Sequence, residues 1–183
     1  MTMRGVQPGD RGRATEVARA FTFVELMVVL VVGAIIASGV SASLGGLTAQ
    51  RRTTAARQLQ RDLSFARERA IATSLNHWVV LDTASDWYAI RSESSASPGF
   101  ASAGTILDPA TGMPFIVQLN REPFPGVDLA GVTVPAGSAV GFDPRGRPLA
   151  TSGALLTTAA SITFAGSTSV SVEARSGRSS VTP

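Results

Sequence analysis

Residues 21–37 read Phe-Thr-Phe-Val-Glu-Leu-Met-Val-Val-Leu-Val-Val-Gly-Ala-Ile-Ile-Ala, an apolar run with one acid, Glu25, near its start. From Leu26 to Gln50 the chain carries no charge for 25 residues. Wound as an α-helix, that stretch measures about 37 Å, more than the roughly 30 Å of a bilayer's hydrocarbon core. A carboxylate inside such a stretch costs about 2.5–3.5 kcal/mol on insertion scales, so Glu25 calls for a functional reason. Arg4, Arg11, Arg13 and Arg19 precede the run, and Ala20 stands just before Phe21. Arg51 and Arg52 follow it, so arginines flank both ends and charge asymmetry does not set an orientation.

Beyond the run the pattern changes twice. Residues 38–48 (SGVSASLGGLT) are small and contain Gly39, Gly45 and Gly46. Each glycine costs a helix about 1 kcal/mol relative to alanine, which marks this segment as a place for the helix to bend or melt. Over 49–74, Ala56, Leu59, Leu63, Ala66 and Ala70 recur at spacings of three and four, one narrow apolar face suited to a sheet. Arg57, Arg61, Arg67 and Arg69 lie off that face. Asp62 and Glu68 have no arginine three or four residues away, so these arginines lack intrahelical partners. Residues 77–91 read as a hairpin turning at Ala84-Ser85-Asp86, and 92–104 as a mobile Ser/Gly-rich loop. Further strands are expected at 114–119, 130–134, 138–142, 160–165 and 168–174, the last two joined at Gly166-Ser167. A long helix followed by short antiparallel strands gives an α+β class.

Composition closes off several chemistries. There is no cysteine, so neither a disulfide framework nor a thiolate metal site exists. All 16 basic residues are arginine, which excludes a lysine Schiff base and a P-loop lysine. His77 is the single histidine, sits beside Trp78 at a helix–strand junction, and reads as structural. Asp82, Asp86 and Asp108 lack metal-loop spacing, and no Gly-x-Ser-x-Gly elbow appears. No enzyme and no cofactor are expected. Without residues 1–20 the chain holds 12 arginines and 11 acids, too even a balance for bulk nucleic-acid binding.

The order of basic leader, small residue, Phe21-Thr22-Phe23-Val24-Glu25-Leu26 and greasy helix resembles the processing signal of type IV pilins and type II secretion pseudopilins. Ala20 stands where that family usually has glycine, and Ala42 where many pilins carry a kinking proline. The likeness continues in Leu63-Ser64-Phe65-Ala66-Arg67-Glu68-Arg69-Ala70-Ile71 and in the turn Gly141-Phe142-Asp143-Pro144-Arg145-Gly146-Arg147-Pro148. It reaches the C-terminus as Val170-Ser171-Val172 followed by Gly177-Arg178. These segments are similar to the H-type minor pseudopilins and T-type minor pilins, the GspH/FimT group. On physics alone the 141–148 turn throws Arg145 and Arg147 outward.

The resemblance implies a pilin-like α+β fold with three parts: a leader at 1–20, a transmembrane helix at 21–48 and a periplasmic globular domain at 49–183. It implies that a prepilin peptidase cuts between Ala20 and Phe21 and methylates the Phe21 amine. It also implies that Glu25 pairs with the N-terminal amine of a neighbouring subunit during assembly. The expected function is that of a minor pseudopilin in the inner membrane, working with other pseudopilins of a type II secretion system.

Two alternatives stay open on sequence. In T-type pilins a Gly-Arg-x-Arg tail binds DNA. Here Gly177-Arg178-Ser179-Ser180 supplies one arginine, with Arg175 nearby, so contact with nucleic acid or a partner protein through Arg175 and Arg178 is the second reading. The third is an exported or anchored β-domain unrelated to pili. Its basic, apolar N-terminus would be an ordinary signal peptide, with Val40-Ser41-Ala42 as cleavage site and Ser43 as the first mature residue.

Overall fold

A computed structural model describes residues 22–135 and 137–183, with side-chain surroundings at 37–45 left undescribed. The described chain falls into two compact units, one ending at Ser41 and one running Ala42–Pro183. Helix α1 spans Phe23–Thr73, a range that includes the glycine-containing segment 38–48. Among the described residues no helix is long and apolar enough to cross a membrane. The apolar run continues past Ile36 into side chains outside the described set.

Ten antiparallel strands follow: β1 His77–Asp82, β2 Trp87–Ser92, β3 Gly104–Thr105, β4 Ile116–Gln118, β5 Leu129–Thr133, β6 Ala139–Phe142, β7 Pro148–Leu149, β8 Ala160–Phe164, β9 Ser169–Val172 and β10 Ser179–Thr182. They form two sheets. The first runs β3-β2-β1-β6-β7, with β4 also paired to β2, and the second runs β10-β9-β8-β5. The expected 77–91 hairpin is present, with Val80 opposite Ala89 and Asp82 opposite Trp87. The expected Gly166-Ser167 connection also forms, both residues taking positive φ. Three strands, β3, β7 and β10, were not foreseen.

The helix face read from sequence is the centre of the core. Ala56, Leu59, Leu63, Ala66 and Ala70 are fully buried, and Ala55 joins them. They share one cluster with Val79, Leu81 and Ile90 of the first sheet and Ile162, Phe164, Val170 and Val172 of the second. Alternation along β1 sends Val79 and Leu81 to this core and Trp78 and Val80 to the opposite face. There Phe100 meets Trp78 edge-on, with ring centroids 5.8 Å apart, so the 93–103 loop covers the back of the sheet. That loop reads as mobile in sequence but is tied down. The buried Glu93 carboxylate accepts hydrogen bonds from the Asn76 N–H, the Asn76 amide and the Gly99 N–H.

Candidate functional site

The first turn of α1 carries Glu25, the acid expected to act in assembly. Thr22 sits at the N-cap, and its hydroxyl accepts the Glu25 backbone N–H at 3.2 Å. Thr22-Phe23-Val24-Glu25 is thus a Thr-x-x-Glu capping sequence, a signal that spacing alone displays and that our sequence reading passed over. The cap fixes where the helix starts and sets Glu25 in the positive end of the helix dipole. Glu25 is exposed, as are Phe23, Val24, Leu26, Met27 and Val28 around it. Among the described residues no cation pairs with Glu25. Ala20 and Phe21, the expected cleavage and methylation positions, lie outside the described residues.

Arg175 and Arg178, the other candidate contacts, do not lie on a free tail. They sit in the turn from Glu173 to Arg178 that links β9 to β10, and both are exposed. The turn closes through Glu173 N–H to the Arg178 carbonyl and Gly177 N–H to the Glu173 carbonyl. Strand β10 then pairs with β9, Val181 opposite Val170. Its edge is held by α1, where the Gln60 amide donates to the Ser179 carbonyl at 2.9 Å. The polar sequence Ser179-Ser180-Val181-Thr182 gives no apolar alternation, which is why it reads as a tail.

This turn packs against the 141–148 turn. Gly177 is buried at φ 66°, and a Cβ there would lie 2.6 Å from the Gly146 carbonyl oxygen. Arg67 of α1 completes the contact, its Nε donating to the same carbonyl at 3.0 Å. Three segments that look unrelated in sequence therefore meet at one end of the core. Arg145 is exposed as expected. Arg147 departs from the outward expectation and folds back on Asp143, with Nε and Nη2 at 2.8 and 2.7 Å from Oδ2. Asp143 Oδ1 also accepts the Arg145 and Arg147 N–H groups. Burial alone would raise the Asp143 pKa, but donation from Arg147 and Arg145 outweighs it and holds the carboxyl below the usual range. This built turn is a joint in the fold.

His77 is buried, its Nδ1 donating to the Leu75 carbonyl at 3.1 Å, and burial pushes its pKa down. It holds the turn from α1 into β1. A second buried polar pair was missed. Asp62, noted in sequence only for lacking a helical arginine partner, is buried at 5% exposure. The hydroxyl of the fully buried Tyr88 donates to its Oδ2 at 2.6 Å, and the Gln58 amide donates to its Oδ1 at 3.0 Å. Desolvation raises both pKa values, that of Tyr88 well above 10. The spacing signal was available, because position 62 is three after Leu59 and four before Ala66.

Comparison with known proteins agrees with this geometry. The model of the family "Type II transport protein GspH" matches residues 55–180, and that of the "Prokaryotic N-terminal methylation motif" matches residues 17–41. No curated protein matches the sequence. Two solved structures of the minor pseudopilin EpsH from the type II secretion system of Vibrio cholerae share the fold. One has a TM-score of 0.51 at 15% identity over 72% of this chain and 96% of EpsH. The other has a TM-score of 0.53 at 11% identity over 73% and 96%. With the GspH model covering the helix face, both sheets and the joint between Gly146 and Gly177, the chain belongs to the GspH family of type II transport proteins.

Proposed function

We propose that a prepilin peptidase removes residues 1–20, methylates the Phe21 amine, and leaves a subunit held in the inner membrane by residues 21–48. Residues 49–183 then stand in the periplasm and join a pseudopilus through other pseudopilins. The observation that carries this reading is the first turn of α1. It presents an exposed carboxylate among exposed apolar side chains, with no cation beside it among the described residues. In a bilayer that acid stays charged only with a cationic partner. The Phe21 amine of an adjacent subunit supplies one of the right charge at the right depth, four residues along the same apolar segment.

Glu25→Ala tests this directly. Removing the acid lowers the cost of insertion, so membrane fractionation should be unchanged, while crosslinking to partner pseudopilins should be lost. Unchanged crosslinking would remove Glu25 from the assembly role. Arg175 and Arg178 support a contact with a partner protein. Two exposed arginines on a chain of net charge near +1 after processing release few counterions from DNA, which leaves nucleic acid the weaker partner.

A further inference from the structure

A groove of about 690 Å³ runs between α1 and the arm of chain leading through β4. Phe65 of the helix stacks on Phe115 of the arm, with ring centroids 5.7 Å apart. Met113 and Ile116 beside them are 65% and 48% exposed. The five consecutive residues from Met113 to Val117 all line the groove, the last two belonging to β4.

That edge is open. Strand β4 pairs with β2 on one side and with no other strand among the described residues. Phe115 and Leu119 turn their backbone groups to their neighbours, through Ile90 N–H to the Phe115 carbonyl and Leu119 N–H to the Asp86 carbonyl. By alternation the Ile116 carbonyl and both Gln118 backbone groups face away from β2. Exposed edges are usually blunted by charge or proline within the strand. Strand β4 itself has neither, Pro114 lying two residues before it.

The groove also has a charge to satisfy. Asp62 lines it at 5% exposure, and its partners, the Tyr88 hydroxyl and the Gln58 amide, are both neutral. The nearest cation, Arg61, donates instead to the Gln58 side-chain oxygen. Asp108 adds a second carboxylate at the rim, where it caps its own turn through the Ala110 N–H and the Thr111 hydroxyl. Two carboxylates against one guanidinium leave the groove acidic.

We propose that this groove receives an extended segment of a partner protein, added as a strand to the edge of β4. Apolar side chains of that segment cover Phe115, Met113 and Ile116, and one arginine or lysine reaches the Asp62 carboxylate. Main-chain pairing supplies affinity, and the basic residue between apolar ones supplies selection. The site is separate from the Glu25 turn and does not depend on how the subunit is processed.

The test uses the full chain in detergent micelles and a fluorescein-labelled peptide, Val-Ile-Arg-Val-Thr-Val, with its Arg→Gln counterpart. The arginine peptide should bind saturably and about tenfold more tightly than the glutamine one, the scale of a close charge pair across an interface. Asp62→Asn should abolish that difference while leaving the glutamine peptide unaffected. Ile116→Asp, at a half-exposed position of β4, should weaken both peptides. Tyr88 is the only tyrosine, so a ¹³C-tyrosine label gives one ring signal beside Asp62. That signal should move with the arginine peptide and not with its counterpart. No saturable binding, equal binding of the two peptides, or indifference to Ile116→Asp would overturn the proposal. Displacement of the probe by unlabelled full chain would assign the groove to a second copy and overturn the choice of occupant.

Discussion

Tyr88→Phe isolates the link between helix and sheet. The ring stays and fills the same buried space, so only the 2.6 Å hydrogen bond to Asp62 is lost. Hydrogen bonds to charged groups contribute about 1.5–3 kcal/mol, and here the acceptor is left buried with only Gln58 as donor. For a unit of this size that is a fall in melting temperature of roughly 5–15 °C near pH 7. The sign of the pH dependence follows from Asp62, whose folded-state pKa is raised by desolvation. Its proton is bound more tightly in the folded state, so its contribution is favourable below the unfolded pKa of about 3.8 and is lost as pH rises through the folded value. Losing the Tyr88 donor raises that folded value further. The deficit of the variant should therefore be largest near neutrality and shrink toward pH 4. In the parent chain Tyr88 itself is raised well above 10, so its contribution is complete below pH 10 and lost above it. Urea titrations of residues 51–183 at pH 4 and 7 read the first effect. Phenolate absorbance of the single tyrosine reads the second, and should appear only with unfolding. A variant as stable as the parent at pH 7, or a phenolate that forms in the folded protein near pH 10, would refute the assignment.

The other predictions are shorter. Gly177→Ala forces a side chain to φ 66° and sets its Cβ 2.6 Å from the Gly146 carbonyl. The backbone term alone is about 1–2 kcal/mol and the clash adds to it, so soluble yield and melting temperature should both drop, whereas Ser176→Ala at the preceding position should cost less. A fragment of residues 51–183, made without the apolar run, should bind partner pseudopilin domains more strongly than duplex DNA at about physiological ionic strength, where the Debye length is about 8 Å. If it binds DNA there, and Arg175→Ala with Arg178→Ala removes that binding, DNA capture replaces the partner-protein role of these residues.

Periodicity carried most of the fold. Ala56, Leu59, Leu63, Ala66 and Ala70 declared the buried helix face because a helix docked on a sheet repeats its contacts every three to four residues. The β1–β2 hairpin was legible for the same reason, with apolar residues bounded by a turn at 84–86. What escaped was held by single contacts. Strand β10 depends on Val181 and on the Gln60 amide from 119 residues away. Strand β7 is two residues long and contains Pro148. The burial of Asp62 went unread because a carboxylate drew attention away from its position on the apolar face, and Arg147 was misplaced because its partner Asp143 lies in a turn, where helix spacing rules do not apply. Of the candidate site, Glu25 was legible as an anomaly in an apolar run. The cap from Thr22 was overlooked, and the Gly146–Gly177 joint needed the fold to bring distant turns together.

The intact mass of the membrane-purified protein tests the central claim most directly. The pseudopilin account predicts a chain that begins at Phe21 and carries one added methyl group. A chain beginning at Ser43 would contradict it and identify the apolar run as a discarded signal peptide.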